Sequence, residues 1–237
     1  MRHATPARSP NRLLGVLPPR DYKRLSKYLE PVSLSMGQVL HDPGKRIQHV
    51  YFPHDGVISL LSLVSPHKGA EVGMVGNEGM VGVSAIFGTG EAHLRALVQG
   101  AGTAMRMPAS RLRKEYATNA LWNRELLRFN HVLMVQAAQT AVCNRFHKIP
   151  ARLARWLLVT RDRLRTNDFN LTHRLLSVML GVRRVGVTLA ASALEERGLI
   201  SYRRGNIRLL DPKGLEEAAC DCYRIVRSAY RKVNGVR

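Results

Sequence analysis

Apolar positions along the chain recur in two rhythms, and the change falls between Met107 and Leu112. Before it, from Val32, the apolar residues cluster in short β-prone runs: Val39-Leu40, Val50-Tyr51-Phe52, Val57 to Leu63, Glu71 to Val75 and Leu94 to Val98. Turn signals separate them: Asp42-Pro43-Gly44, His54-Asp55-Gly56, Ser65 to Gly69 and Gly76 to Gly79. Many short strands at this spacing predict a sandwich or barrel of mostly antiparallel pairs. Ahead of them, Leu17 to Tyr28 reads as a short helix. Pro18-Pro19 sits in its first turn, where a missing N–H costs nothing, and Tyr22, Leu25 and Leu29 form the stripe. Residues 1–12 are basic, carry Pro6 and Pro10 and little apolar content, and are expected to be disordered.

From about Leu112 the period becomes helical. Trp122, Leu126, Phe129, Leu133 and Ala137 recur at three and four, with Leu127, Met134, Ala138 and Ala141 beside them, on to about Phe146. A helix that long with two apolar faces must bury both. One face can cover the β domain. The other suits a second copy of the chain, because Ala137, Ala138 and Ala141 permit close approach. The competing reading packs both faces within one chain.

Pro150 opens a further helix, Ala151 to about Leu164, with Leu153, Trp156, Leu157 and Leu164 inward. Its expected outer face holds Arg152, Arg155, Arg161, Arg163 and Arg165. Then come two short helices with a glycine between them. Thr172 is the candidate N-cap. Leu175, Leu176 and Met179 recur at helical spacing, and Gly181 can take the left-handed conformation that ends a helix. Val187, Ala191 and Leu194 form the inward stripe of the second helix, which leaves Arg184, Val185, Thr188 and Leu189 outside. Gly198 ends that helix. Two short strands follow, expected to turn at Gly205-Asn206. This is the pattern of a winged helix-turn-helix, a unit that places its second helix in the DNA major groove. An ordinary αα-hairpin is the competing reading; the arginines on the outward face and hairpin tip argue against it.

Charge sharpens the picture. The chain has 237 residues, is 45% hydrophobic and carries a formal charge of +20. Residues 1–100 have 11 Lys and Arg against 7 Asp and Glu, and residues 101–237 have 26 against 10. The excess thus lies with the helix-turn-helix, as expected for a polyanionic partner bound through counterion release. No basic amphipathic tail or lipidation motif points to a membrane, and no apolar run approaches the ~20 residues of a span.

The cysteines are Cys143, Cys220 and Cys222. Their odd number suggests free thiols in a reducing cytoplasm. Cys220-x-Cys222 lacks the spacing of a zinc ribbon and has no second pair along the chain. An iron–sulfur cluster normally takes four thiolates. No metal and no cofactor is therefore expected. An enzyme of the cupin type is also disfavoured, since His49, His54, His67 and His93 lack the His-x-His pair such a site wants. A small-metabolite-binding module without operator-specific DNA binding is the alternative from another class.

From about Leu14 to Leu215 this order of elements resembles the Crp/Fnr family of bacterial transcription regulators. The closest motif match is Leu180-Gly181-Val182-x-Arg184-x-x-Val187, followed by Leu194-Glu195-x-x-Gly198-Leu199-Ile200. Met36 to Leu40 and Asp55 to Ile58 match more loosely. The resemblance implies an α+β chain with an N-terminal β-roll of the cyclic-nucleotide-binding jelly-roll type, a long dimerisation helix and a C-terminal winged helix-turn-helix. It implies a homodimer on a symmetric operator in double-stranded DNA, contact with RNA polymerase, and a small-molecule effector. On this reading the chain divides into a disordered tail (1–13), sensor (14–117), dimer helix (118–146), DNA-binding domain (147–215) and a C-terminal helix and tail (216–237).

Site expectations follow. Arg184, Val185, Thr188 and Leu189 are the candidate base readers. Thr172, His173, Arg174, Arg183, Arg203 and Arg204 are candidate phosphate contacts. Leu126, Leu133, Met134, Ala137, Ala138 and Ala141 are the candidate dimer seam. In the family's cyclic-nucleotide binders a Gly-Glu step holds the ribose hydroxyl, and an Arg a dozen or so residues on holds the phosphate. Here the step is Gly82-Val83. The later element is Leu94-Arg95-Ala96, with Leu94 in the Arg register and Arg95 one residue off. Gly82, Val83 and Arg95 mark the effector pocket, and cyclic AMP is not expected there.

Overall fold

The computed structural model describes residues 9–65 and 68–233. Residues 1–8 of the expected disordered tail lie outside them, as do Pro66, His67 and residues 234–237. The chain forms two compact units. One comprises the residues up to Ile58 together with Val75–His131; the other comprises Ser59–Met74 with Val132 onward.

The first unit opens on a one-turn helix, α1 (Arg12–Gly15), and this corrects the tail expectation for residues 11–13. Asn11 is fully buried. Its side chain accepts from the Leu13 and Leu14 amides and donates to the carbonyls of Pro53 (2.9 Å) and Gly79 (2.8 Å). A buried amide with every bond made anchors the chain entry. After α2 (Pro19–Ser26), strands β1 (Glu30–Leu34), β2 (Val39–His41), β3 (His49–Pro53), β4 (Val57–Ser65), β5 (Lys68–Val75), β6 (Arg95–Gly100) and β7 (Gly102–Pro108) build two sheets, most of β4 and β5 being counted with the second unit. Their orders are β1-β7-β3 and β2-β6-β4-β5, without a closed barrel. β1 and β7 were not among the sequence-read runs.

Helix α3 (Ala109–Thr118) precedes the long helix α4 (Ala120–Phe146). Trp122 is fully buried, stacks on Phe52 at 6.0 Å and donates its indole N–H to the Leu13 carbonyl at 3.2 Å. Phe129 lies so close to Gly79 that a Cβ there would meet the ring at 2.0 Å. Only glycine admits this contact.

The second unit is built on α5 (Ile149–Leu164). Every residue from Arg152 to Thr160 is buried, because α7, α8 and α9 pack around it. The expected outer arginine face is thereby corrected: Arg152 and Arg155 are each only 6% exposed. The Arg152 guanidinium donates to the Leu180 carbonyl. Three elements follow: β8 (Asp168–Asn170), α6 (His173–Leu180) and α7 (Arg184–Glu196). After them come β9 (Ile200–Arg203), β10 (Asn206–Leu209), α8 (Pro212–Ala218) and α9 (Cys222–Val233). The last expected helix is thus two, broken at Cys220. Among the described residues no single helix is long and apolar enough to cross a membrane.

Candidate nucleic-acid interface

Thr172 starts α6 as expected: its hydroxyl accepts from the Leu175 amide at 3.2 Å. Gly181 ends the helix at φ +62°, and its own amide and that of Val182 return to the carbonyls of Val178 and Ser177. That closure satisfies the free carbonyls of the last turn. The chain then bends by 104° into α7, within the range of helix-turn-helix units. Arg183 stands at the N-cap of α7, makes no side-chain capping bond and is exposed.

Leu176, Met179 and Leu180 of α6 face Val187, Ala190, Ala191 and Leu194 of α7 in the core. Arg184, Val185, Thr188 and Leu189 lie outside. Val185 is 63% and Leu189 67% exposed, so the hairpin does not cover them. Ser192, one turn beyond Thr188, is exposed too. The i, i+4 spacing from Thr188 was the signal for it.

The hairpin completes the face. β10 pairs antiparallel with β9 on one side and with β8 on the other. The turn is Arg204-Gly205, not Gly205-Asn206, with φ of +50° and +87°. Both residues at positive φ match the tight hairpin turn whose twist suits the strands, and Asn206 is already in β10. β8 was missed as a strand; its Asp168 carboxylate pairs with Arg208 at 2.6 Å. Glu195 receives the Tyr202 amide at 2.7 Å, and the Tyr202 hydroxyl donates to the Leu171 carbonyl at 2.7 Å. These bonds fix the hairpin against α7 and the start of α6.

Thr172, His173, Arg184, Tyr202, Arg204 and Gly205 line one open concavity of about 340 Å³. The fold therefore joins four of the expected contacts, Thr172, His173, Arg184 and Arg204. Arg174, Arg183 and Arg203 are exposed without lining it. His173 departs from expectation. Its Nδ1 lies 3.1 Å from the Thr188 hydroxyl, its Nε2 is buried, and its ring meets the Tyr202 ring edge-on at 4.6 Å. Neither nitrogen faces outward, so the ring is a wedge between α6, α7 and β9 rather than a phosphate donor. Burial, and then the Arg184 charge, lower its pKa, which keeps the wedge neutral.

Of the expected effector residues, Gly82 and Arg95 lie near the His41 end of β2, and neither they nor Val83 line the groove beside it. A Cβ on Gly82 would lie 2.8 Å from the His41 ring. Arg95 pairs with Asp42, the next residue, at 2.7 Å. His41 itself bonds the His49 carbonyl through Nε2 at 2.8 Å, and burial lowers its pKa. His41 and Asp42 line a groove of about 270 Å³ with Lys45, Arg46, Gln48 and Tyr51.

On α4 the seam expectation divides. Met134 is 64% exposed and Ala138 and Ala141 are exposed, while Leu133 and Ala137 are half-buried. Leu126 is fully buried. It packs inward with Trp122 and Phe129 and is removed from the seam, since 122, 126 and 129 share the helix face that covers the unit's own core.

Residues 151–218 match the Crp-like helix-turn-helix domain. No curated protein matches the chain. Among solved structures, a Crp/Fnr-family protein from Eubacterium rectale is similar over 87% of this chain and 96% of its own, at 18% identity and a TM-score of 0.70. FixK2 from Bradyrhizobium japonicum is similar over 81% and 98%, at 17% identity and 0.69. TTHA1359, a CRP/FNR-family transcriptional regulator from Thermus thermophilus, is similar over 80% and 98%, at 22% identity and 0.65. Residues 151–218 thus form a Crp-like helix-turn-helix domain, on a chain whose fold is similar to that of solved Crp/Fnr-family proteins.

Proposed function

We propose that the chain is a cytoplasmic transcription regulator that binds a two-fold symmetric operator in double-stranded DNA as a homodimer, meets RNA polymerase there, and catalyses no reaction. The observation that carries this reading is the outward face of α7. Arg184 stands at its exposed start, beside a concavity whose other wall holds Arg204, and the base-edge positions after it are exposed.

Arg184 can bond a guanine O6 and N7 together. Val185 and Leu189 cannot accept from cytosine, but they can pack on thymine methyls. A half-site with one guanine flanked by thymine follows. Arg174, Arg183, Arg203 and Arg204 serve phosphates, which set position rather than sequence. Met134, Ala138 and Ala141 form the exposed part of the dimer seam.

The sensor's effector is not cyclic AMP. Val83 cannot accept a ribose hydroxyl, Leu94 offers a phosphate nothing, and Arg95 is held by Asp42. Calorimetry with cyclic AMP should show no saturable binding in the micromolar range. Such binding would return Arg95 to the phosphate role. Fluorescence anisotropy on fragments selected from the source genome tests the main reading. Saturable binding that discriminates selected from scrambled sequence supports it, and equal binding to both would leave only the metabolite-binding alternative.

A further inference from the structure

The second unit gathers all three cysteines of the chain at one point. Cys143 and His147 lie one turn apart at the end of α4, bonded backbone to backbone as i and i+4. Cys220 lies in the break between α8 and α9, and Cys222 begins α9. Their four ligand atoms all fall within 4.8 Å of one another. Cys143 Sγ is 3.4 Å from Cys220 Sγ, and Cys222 Sγ is 3.4 Å from His147 Nδ1. In a tetrahedral site with bonds near 2.3 Å, neighbouring ligand atoms stand about 3.7 Å apart. The spacing thus suits one ion. It is too close for several irons, and far longer than the ~2 Å of a disulfide.

We propose that Cys143, His147, Cys220 and Cys222 bind a single thiophilic divalent cation of the zinc class. Three thiolates and a neutral imidazole around such an ion leave one net negative charge, which needs a counter-charge when buried. Arg155 and Arg152 supply it. Both are buried and both act electrostatically on Cys143. The Nε of each is buried with no hydrogen-bond partner, although the Arg152 guanidinium also donates to Leu180. The surroundings extend to Gln139, whose amide donates to Cys222 Sγ at 3.1 Å, an outer partner of the kind that tunes a ligand.

The chemistry also accounts for the placement. Four protein ligands with no open position make a structural rather than a catalytic site. The ion joins the end of α4 to the α8–α9 break. α9 is otherwise held by Tyr223 on Asp162 (3.0 Å) and Tyr230 on Gln136 (2.8 Å). Arg152, on the cation side of the site, also holds the last carbonyl of α6. The site thereby borders the support of the helix-turn-helix.

Full-length protein purified under reducing conditions without chelator should carry about one zinc per chain by mass spectrometry of its metals. The metal-stripped protein titrated with Co²⁺ should develop the visible bands of a tetrahedral site with sulfur-to-cobalt charge transfer, displaced by Zn²⁺. Cys220→Ser, at a half-buried position, should weaken Co²⁺ binding at least about 100-fold, because even an outer partner is worth about 10–100-fold. Gln139→Leu should weaken it about tenfold. Circular dichroism confirms that each variant is folded. Three thiols that react freely whether or not Zn²⁺ is present would overturn the proposal. So would a Cys143–Cys220 disulfide formed with Zn²⁺ present, or Co²⁺ binding of equal strength in folded Cys220→Ser.

Discussion

Thr188, on the outward face of α7, holds the ring of His173 across the turn, with its hydroxyl 3.1 Å from Nδ1. Burial lowers the pKa of His173, and the neighbouring Arg184 lowers it further. The fold therefore favours the neutral ring. Its contribution to stability is fully present above the ordinary value of 6.5 and is lost as pH falls through the lowered one. NMR titration should place His173 below 6.5, and Arg184→Ala should move it upward. A value unmoved by that substitution would contradict the contact.

Glu71 has the opposite sign. It is buried in the second unit, receives Ser59 at 2.6 Å and the Trp156 indole at 3.1 Å, and burial raises its pKa to about 7 from 4.5. Folding thus takes up a proton between those values, and stability falls as pH rises from 4.5 to 7. By linkage the loss is at most about 3 kcal/mol. Glu71→Gln should abolish that slope. Urea unfolding of both proteins between pH 5 and 8 isolates it, since the histidines are common to both. Parallel curves would show that Glu71 stays ionised.

The two faces of α4 separate by mutation. Leu126→Ala opens a cavity in the first unit and should cost about 2–5 kcal/mol with assembly intact. Met134→Glu changes an exposed position and should leave the folded chain unharmed while dissociating the dimer. Light scattering at tens of micromolar should give twice 26.5 kDa for the wild type and the single mass for Met134→Glu. A monomeric wild type would contradict the seam.

What the sequence revealed, and what it concealed, has local causes. Thr172, Gly181 and the Val187-Ala191-Leu194 stripe act within one or two helical turns, so spacing alone discloses them. Arg184, Val185, Thr188 and Leu189 follow as the remainder of the same helix. β1 escaped because Pro31 interrupts it. The proline is tolerated because β1 is the edge of its sheet. β8 is three residues with one buried side chain, Phe169, too short for any period. Asn11 looks like a tail residue because its partners, Pro53 and Gly79, lie 42 and 68 positions away. The clustering of the thiols is hidden in the same way: Cys143 and Cys220 are 77 residues apart, and no linear motif records such a pair. Arg152 and Arg155 read as surface because the helix period cannot say how many neighbours a helix has.

The roles assigned to the arginines divide by salt. Arg203→Ala should weaken binding to all sequences alike and reduce the salt slope by about 1. Arg184→Ala should cost about 1–3 kcal/mol on the preferred site alone. Anisotropy titrations over a range of salt, on selected and scrambled fragments, separate the two. Equal losses on both fragments for Arg184→Ala would make it a phosphate contact.

Sequence reading by α7 is tested most directly by selecting bound fragments from a random pool with the wild type and with Arg184→Ala. The wild type should enrich a two-fold symmetric motif whose half-site holds one guanine flanked by thymine. Arg184→Ala should relax preference at that guanine and leave the rest of the motif in place. An unchanged motif in Arg184→Ala, or no motif enriched by the wild type, would contradict it.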